Sequence, residues 1–443
     1  MKYSEFIFES YSYDPAKASL SLCYRFSDGP RFEERLAFDL TPRQLSATEN
    51  QVLDRIFRLI LLVSGISYYK AFIPETLICE AFPLDSQTAG FLREFYEKGL
   101  AEFAFKNRLS LRNHIQFQSG PVSPACPIAL DLPRKSCVPV GGGKDSIVTT
   151  ECLKRCGEPV ILFSLGDADP IRACIVKAAL PSIRVRRRLD SGLLDLNKKG
   201  ALNGHIPITG IVSAIALAGA LLSGCDAIVM SNEHSASAPN LNIDGVEVNH
   251  QYSKSLEFEL AFSEYIQQHI SPSVAYFSLL RPLSEIEIAR RFSRYPKYFG
   301  AFQSCNTAFK QSRTAQERNW CCDCPKCRFV FLALSPFIAK ADLIGIFGCN
   351  LLNDESQRDG FAALCGLSEH KPFECVGEVS ESAAVMSHIS TLSDWESDAV
   401  VQQLRSGLAA SRQEQLAEYQ ALFAARHPHR VPDSYLAMLD ACD

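Results

Sequence analysis

Three consecutive glycines stand between an apolar run and a helix-like run in Val138-Pro139-Val140-Gly141-Gly142-Gly143-Lys144-Asp145-Ser146. Glycine has no Cβ, so its N–H can approach a ligand closely and its backbone can take positive φ. The residues after Ser146 place Ile147, Val148 and Leu153 at helical spacing and stop near Gly157,. A helix starting there would turn its positive end toward the glycines, an arrangement that suits phosphate. The Gly-x4-Gly-Lys-Ser/Thr spacing of a Walker A loop is missing,. A plain strand-to-helix turn would explain the glycines but not the trailing Asp-Ser.

A second concentration of chemistry is Trp320-Cys321-Cys322-Asp323-Cys324-Pro325-Lys326-Cys327, with Cys305 sixteen residues upstream of Cys321. Two consecutive Cys-x2-Cys steps, 321–324 and 324–327, set thiols at knuckle spacing, and Cys305 makes a fourth ligand for tetrahedral Zn²⁺. Cys322 is then a spare thiol. A packed cysteine-rich turn without metal, or a redox pair, would use the same residues. Polar clusters recur elsewhere. Ser231-Asn232-Glu233-His234-Ser235-Ala236-Ser237 offers a carboxylate and an imidazole that could move protons, or could simply cap a helix,. Asn249-His250-Gln251-Tyr252-Ser253-Lys254-Ser255 could hold an anion or form a solvated loop. Asn203-Gly204-His205 precedes an uncharged run, where a helix N-terminus would favour neutral imidazole,. Arg184, Arg186, Arg187 and Arg188 could meet substrate phosphates, although a charged strand edge suits them better. Glu369–Cys375 is polar and cysteine-containing, with no role beyond an approach to the site.

The elements that must position these residues follow from periodicity. Leu20, Leu22, Tyr24 and Phe26 alternate with polar residues, Asp28-Gly29-Pro30 turns, and Phe32, Leu36, Phe38 and Leu40 continue, so residues 1–45 read as antiparallel strands,. Helical patterns follow at 52–62 and 91–100. From Ser136 strands and helices alternate, which predicts a parallel sheet with right-handed crossovers. The strands fall at 137–140, 160–165, 182–188, 227–230 and 274–278, the helices at 146–156, 170–180, 206–223, 256–269 and 284–294. Ligands of such sheets bind beyond the carboxyl ends of the strands. That rule gathers Gly141–Ser146, Ser164–Asp169, Leu189–Ser191 and Ser231–Ser237. After Phe329 the chain reads as helical, with a loose tail from about Ser411. The fold class is therefore α/β, with an N-terminal α+β domain at 1–130 serving as lid or substrate-recognition unit, a nucleotide-binding domain with the cysteine cluster at 131–330 and a helical region at 331–443.

The 443 residues, 47% hydrophobic and 21% charged, are those of a globular chain with proper cores,. A net charge of −5 gives no support to nucleic-acid binding,. No apolar leader follows Met1-Lys2-Tyr3-Ser4-Glu5, and the seventeen cysteines form no small-domain disulfide framework, so a cytoplasmic location is expected,. Ile206–Cys225 is uncharged, but its Pro207 and its glycines and hydroxyls fit a core helix rather than membrane insertion,. Nothing in the pattern specifies an oligomeric state.

The glycine loop resembles the pyrophosphate-binding loop of PP-loop ATPases, usually Ser-Gly-Gly-x-Asp-Ser, with Gly141 in place of the first Ser. The resemblance implies an adenine nucleotide α-hydrolase-like core that splits ATP into AMP and pyrophosphate with Mg²⁺. Gly141, Gly142, Gly143 and Ser146 would hold phosphate, Lys144 would offset its charge, and Asp145 would reach Mg²⁺ or orient the loop. The cysteines resemble the zinc site of the PP-loop enzymes making 7-cyano-7-deazaguanine, which implies a structural Zn²⁺ on Cys305, Cys321, Cys324 and Cys327. With Asn203–Thr209, Ser231–Ser237, His250–Ser255 and Trp320–Phe329 in this order, nearly the whole chain resembles the UDP-N-acetyl-α-D-muramoyl-L-alanyl-L-glutamate epimerase family of peptidoglycan-precursor enzymes. That resemblance implies UDP-MurNAc-L-Ala-L-Glu as substrate and ATP-dependent inversion of its terminal glutamate through an adenylated carboxylate. Glu233, His234, His250 and Cys322 are the acid/base candidates it leaves. Another PP-loop adenylating enzyme (an amidase or ligase) and a non-catalytic ATP-binding module are the rival expectations.

Overall fold

In the computed structural model the described residues are all except 1–2, 41–42, 244–245, 306–319, 369–371, 373 and 425. Twelve strands are described: β1 (Glu5–Asp14), β2 (Ser19–Phe26), β3 (Arg31–Asp39), β4 (Thr76–Cys79), β5 (Gln116–Phe117), β6 (Ser136–Pro139), β7 (Val160–Leu165), β8 (Ser182–Arg188), β9 (Ala227–Met230), β10 (Leu241–Ile243), β11 (Val246–Val248) and β12 (Ala275–Ser278). Ten of them form a single mixed sheet in the order β12-β9-β6-β7-β8-β3-β2-β1-β4-β5, and β10 and β11 form a separate hairpin. The five strands expected after Ser136 lie side by side and parallel. The antiparallel meander β1-β2-β3 is also as the alternation predicts.

The pattern did not show how the two parts join. β3 pairs antiparallel with β8, Phe38 opposite Val185, so the sheet runs unbroken across residue 130. β8 is thus an interior strand, which corrects the reading of its arginines as an exposed edge. Arg187 makes a two-pronged bond to Glu34, 2.7 and 3.0 Å, and a third to Ser67 Oγ at 2.8 Å, all inside the joint. Buried charges persist where they are paired and fully hydrogen-bonded.

Side chains of the central strands point alternately into two cores, as the pleat requires. Cys137, Ile161, Phe163, Ile228 and Tyr276 pack with the N-terminal strands and with helices Ala47–Ser64 and Ile208–Leu222. Val138, Leu162, Val229 and Phe277 pack on the other face with helices Lys144–Arg155, Glu285–Ser293, Pro325–Leu334 and Val379–Ile389. The uncharged helix Ile208–Leu222 is almost wholly buried. Among the described residues, no helix is long and apolar enough to cross a membrane. The tail from Ser411 is not loose. It forms helices Arg412–Ala421 and Asp433–Ala441, and Tyr435 bonds Ser136 Oγ at 2.8 Å beneath β6.

Candidate active site

The glycine loop leaves β6 and enters helix Lys144–Arg155 with no side chain capping the helix start. Gly142 has φ +83°, and a Cβ there would meet Ile171 N and Pro170 at 3.0 Å, so this position requires glycine,. Its carbonyl accepts from Gln303 N at 2.8 Å, which ties the loop to the segment before Cys305. A Cβ on Gly141 would meet open space. Ile171, which packs against Gly142, also lines a cavity of about 290 Å³ with Ser164, Gly166, Asp167, Arg172 and Arg184, although no residue of the loop itself lines it. A larger one, about 580 Å³, is lined by none of the residues of this site.

The charges beside the loop differ from the simplest expectation. Lys144 does not reach out of the loop: it is almost wholly buried, and its ammonium is held by Asp145 and Glu285, which keep its pKa raised. Two carboxylates on one ammonium cannot both be fully compensated. Burial pushes the enclosed Glu285 well above the usual carboxylate range, with Glu233 and Asp145 adding to it,. Glu381 accepts from Glu285 N at 2.9 Å and, pushed up by burial, titrates at about 7. Arg281, fully buried, donates to the carbonyls of Glu233 and Lys254 and to Glu259 at 2.8 Å, tying both polar segments to the sheet end. Lys254 carries the charge onward. Its ammonium feels Glu233, Asp145 and Glu285, and it donates to Cys375 Sγ at 3.6 Å.

Four distant segments meet around that sulfur. His250 hydrogen-bonds Cys375 and also binds Glu102 through Nδ1. Burial alone would lower the imidazole, but these two partners push it to about 9. Burial would likewise raise the Cys375 thiol, yet Lys254, His250 and the charge of Lys326 bring it down to about 6. Glu102 is held at about 2 against its burial by His250 and Lys106. The His205 ring lies 4.3 Å from that of His250, tilted 42° to it, and burial together with that neighbouring charge drops His205 to about 4. It is neutral, as expected, but because of burial rather than a helix end; the helix opens later, at Ile208.

Of the acid/base candidates, Glu233 and His250 thus lie with the glycine loop and Lys254. His234 faces the C-terminal region instead, stacked on His427 at 3.6 Å with Glu378 nearby. Cys322 lies in the C-terminal core, at positive φ, with its sulfur on the carbonyl of Phe347 at 3.3 Å. Glu102, Glu285 and Glu381 emerge only from the fold, whereas Lys254 and Cys375 lie in polar segments that the sequence marks without a specific role. Of the segment 369–375, residues 369–371 and 373 lie outside the described residues. The buried Ser231 Oγ, Ser235 Oγ, Gln251 Oε1 and Gln303 Nε2, all on these segments, have no hydrogen-bond partner. Such groups are normally satisfied, so a polar ligand or water belongs among them.

The thiols of Cys305, Cys321, Cys324 and Cys327 converge within 4.8 Å of one another. Cys324 is 3.5 Å from Cys327 and 4.0 Å from Cys305, and Cys321 is 3.7 Å from Cys327. Tetrahedral zinc with Zn–S of about 2.3 Å sets its sulfurs about 3.8 Å apart, so this donor set fits that ion.

Family models for the MurL N-terminal domain and the MurL C-terminal domain match residues 1–279 and 301–419. The chain is 39% identical to a UDP-N-acetyl-alpha-D-muramoyl-L-alanyl-L-glutamate epimerase of Xanthomonas oryzae pv. oryzae, over 97% of this chain and 95% of the relative. Relatives of the same name are 42% identical in Salinispora tropica, over 97% and 94% of the two chains. A third, in a Micromonospora species, is also 42% identical, over 98% and 97%.

Proposed function

The chain belongs to the UDP-N-acetyl-α-D-muramoyl-L-alanyl-L-glutamate epimerase family, and from that premise we propose that it inverts the terminal L-glutamate of UDP-MurNAc-L-Ala-L-Glu in the cytoplasm by an ATP-dependent route. It is an isomerase of peptidoglycan precursor synthesis. In the proposed route ATP adenylates the glutamate carboxylate and pyrophosphate leaves. A carbanion beside a free carboxylate would stand next to an existing negative charge. In the mixed anhydride the carbonyl is neutral, so an enolate becomes reachable, and water finally releases AMP.

The observation that carries the ATP step is the loop at 141–146. It has positive φ at Gly142 and a helix start with no side chain capping it. Backbone N–H groups there would hold the pyrophosphate. The PP-loop identity of this core is part of the proposal. Lys144 acts by holding Asp145 and Glu285 in place rather than by meeting phosphate. Mg²⁺ would offset phosphate charge, and the half-exposed Asp145 is the residue placed to hold it,. Zn²⁺ on the four cysteines would lock the turn that starts helix Pro325–Leu334,.

Incubation with ATP, Mg²⁺ and UDP-MurNAc-L-Ala-L-Glu, followed by pyrophosphate measurement and resolution of glutamate enantiomers, tests this reading. D-glutamate and pyrophosphate should appear together. D-glutamate formed without ATP would remove the adenylation step. Gly142→Val should abolish pyrophosphate release, because the side chain would collide with Pro170 and Ile171 in a backbone region valine avoids,.

A further inference from the structure

Cys375 is driven toward thiolate, whereas buried thiols such as Cys137, Cys174 and Cys225 are driven the other way. The cause is geometric. Lys254 Nζ stands 3.6 Å from Sγ, the His250 imidazole acts on the same sulfur and favours its anion, and Glu102 binds that imidazole through Nδ1. A cysteine, a histidine and a carboxylate in series form the arrangement by which a thiol is activated and its imidazole oriented. Here the series is built from residues 102, 250 and 375. Lys254, added at the side, is electrostatically linked to Asp145 and Glu285 at the glycine loop. Cys375 is half-buried.

We propose that Cys375 is the base that takes the α-proton from the terminal glutamate, with His250, Glu102 and Lys254 as its positioning residues. The proposal rests on the adenylation reading above. The Cα–H bond breaks and its proton goes to Sγ. The electron pair moves into the bond between Cα and the carbonyl carbon, giving the enolate of the mixed anhydride. Water on the opposite face supplies the new Cα proton, and the hydroxide it leaves attacks the carbonyl carbon and expels AMP. The Cys375 thiol then returns its proton to solvent. The half-buried thiolate suits this task because the enolate is flanked by the Lys254 ammonium and the His250 imidazolium, while an acidic cluster stands behind it.

Full-length Cys375→Ala tests the assignment through three readouts on UDP-MurNAc-L-Ala-L-Glu. These are pyrophosphate–ATP isotope exchange, deuterium entry at Cα in D₂O, and D-glutamate formation. Exchange should persist, whereas deuterium entry and D-glutamate should fall about 10²- to 10⁴-fold, the usual weight of a general base. Deuterium entry at the wild-type rate overturns the proposal, as does a folded variant that loses exchange in parallel with inversion. Absence of exchange in the wild-type enzyme would instead overturn adenylation, while a Cys375-dependent deuterium entry would still stand for the thiol. Should Cys375→Ala not fold, His250→Gln carries the test. The acid limb of D-glutamate formation must move to higher pH while exchange is kept, and an unmoved limb overturns the proposal.

Discussion

The molecule uses its cysteines in two opposite ways about one site. Cys305, Cys321, Cys324 and Cys327 face one another, and mutual proximity together with burial pushes Cys324 up to about 11 and Cys327 higher still. Cys375 faces an ammonium and an imidazole and is brought down to about 6. Thiols that meet only thiols must stay protonated or share a metal cation; a thiol that meets fixed cations becomes an anion without one. The two assemblies also touch electrically, because Lys326, inside the Cys324–Cys327 step, lends its charge to Cys375.

The largest effect should come from removing one sulfur of the four. Cys324→Ser is expected to take bound zinc from about one ion per chain to near none, by elemental analysis after gentle purification, and to lower the melting temperature. Cys322→Ser, beside it in sequence but pointed at Phe347, should leave the zinc content unchanged. Equal zinc in Cys324→Ser would dissolve the contrast, leaving a packed thiol turn. If Lys326 depends on this turn, the loss should also raise the pH at which Cys375 reacts with iodoacetamide.

A smaller effect tests the other assembly. Alkylation follows the thiolate, so the wild-type rate at Cys375 should reach half its maximum near pH 6, against about 8.5 for an ordinary thiol,. Lys254→Met removes the ammonium that donates to the sulfur, so the half-point should rise by more than about one pH unit, since one unit corresponds to about 1.4 kcal/mol and a close pair is commonly worth that much,. Peptide mapping by mass spectrometry reads it. A half-point that stays put would mean the lysine is not what makes this sulfur different.

The same contrast explains what the sequence could and could not show. The glycine loop and the four cysteines are nearly contiguous, and their spacing alone requires closeness. The strands and helices after Ser136 were legible because pleat and helix periods are local. Cys375 carries no such mark. Its partners arrive from a helix of the N-terminal half, a loop after the β10–β11 hairpin and a 3₁₀ turn, and only the folded packing of the N-terminal half on the central helices brings Glu102 to His250. The arginines of β8 misled for the same reason: an edge is a property of pairing, and Glu34 lies some 150 residues away in the chain. Cys322 stands out in the sequence as the fifth sulfur of a cluster, whereas its burial and direction depend on the left-handed turn at that residue.

The smallest expected effect asks whether charge alone, with no metal, holds the Cys375 assembly. His250 titrates at about 9 in the folded protein against an ordinary value of about 6.5,. A group whose folded value is raised stabilises the fold fully below its unfolded value and loses that contribution as pH climbs through the folded one. His250 therefore contributes a part of the melting temperature that declines between about pH 6.5 and 9,. Cys375, at about 6 against an ordinary value of about 8.5, contributes an opposite rise over nearly the same window, so the difference between wild type and variant, not the wild-type slope, isolates the His250 part,. Glu102→Gln removes one of the two partners holding the proton on the ring, so that component should shrink and its upper end should move below 9. The Cys375 bond remains, so the decline should not vanish. Melting curves across this window, run beside wild type at one ionic strength, read the difference. A chelator should change neither profile here, although it should lower the melting temperature through the four-cysteine turn at every pH. A decline identical in wild type and variant would mean that Glu102 does not hold His250 in its charged form, and the series from Glu102 to Cys375 would be broken at its first link.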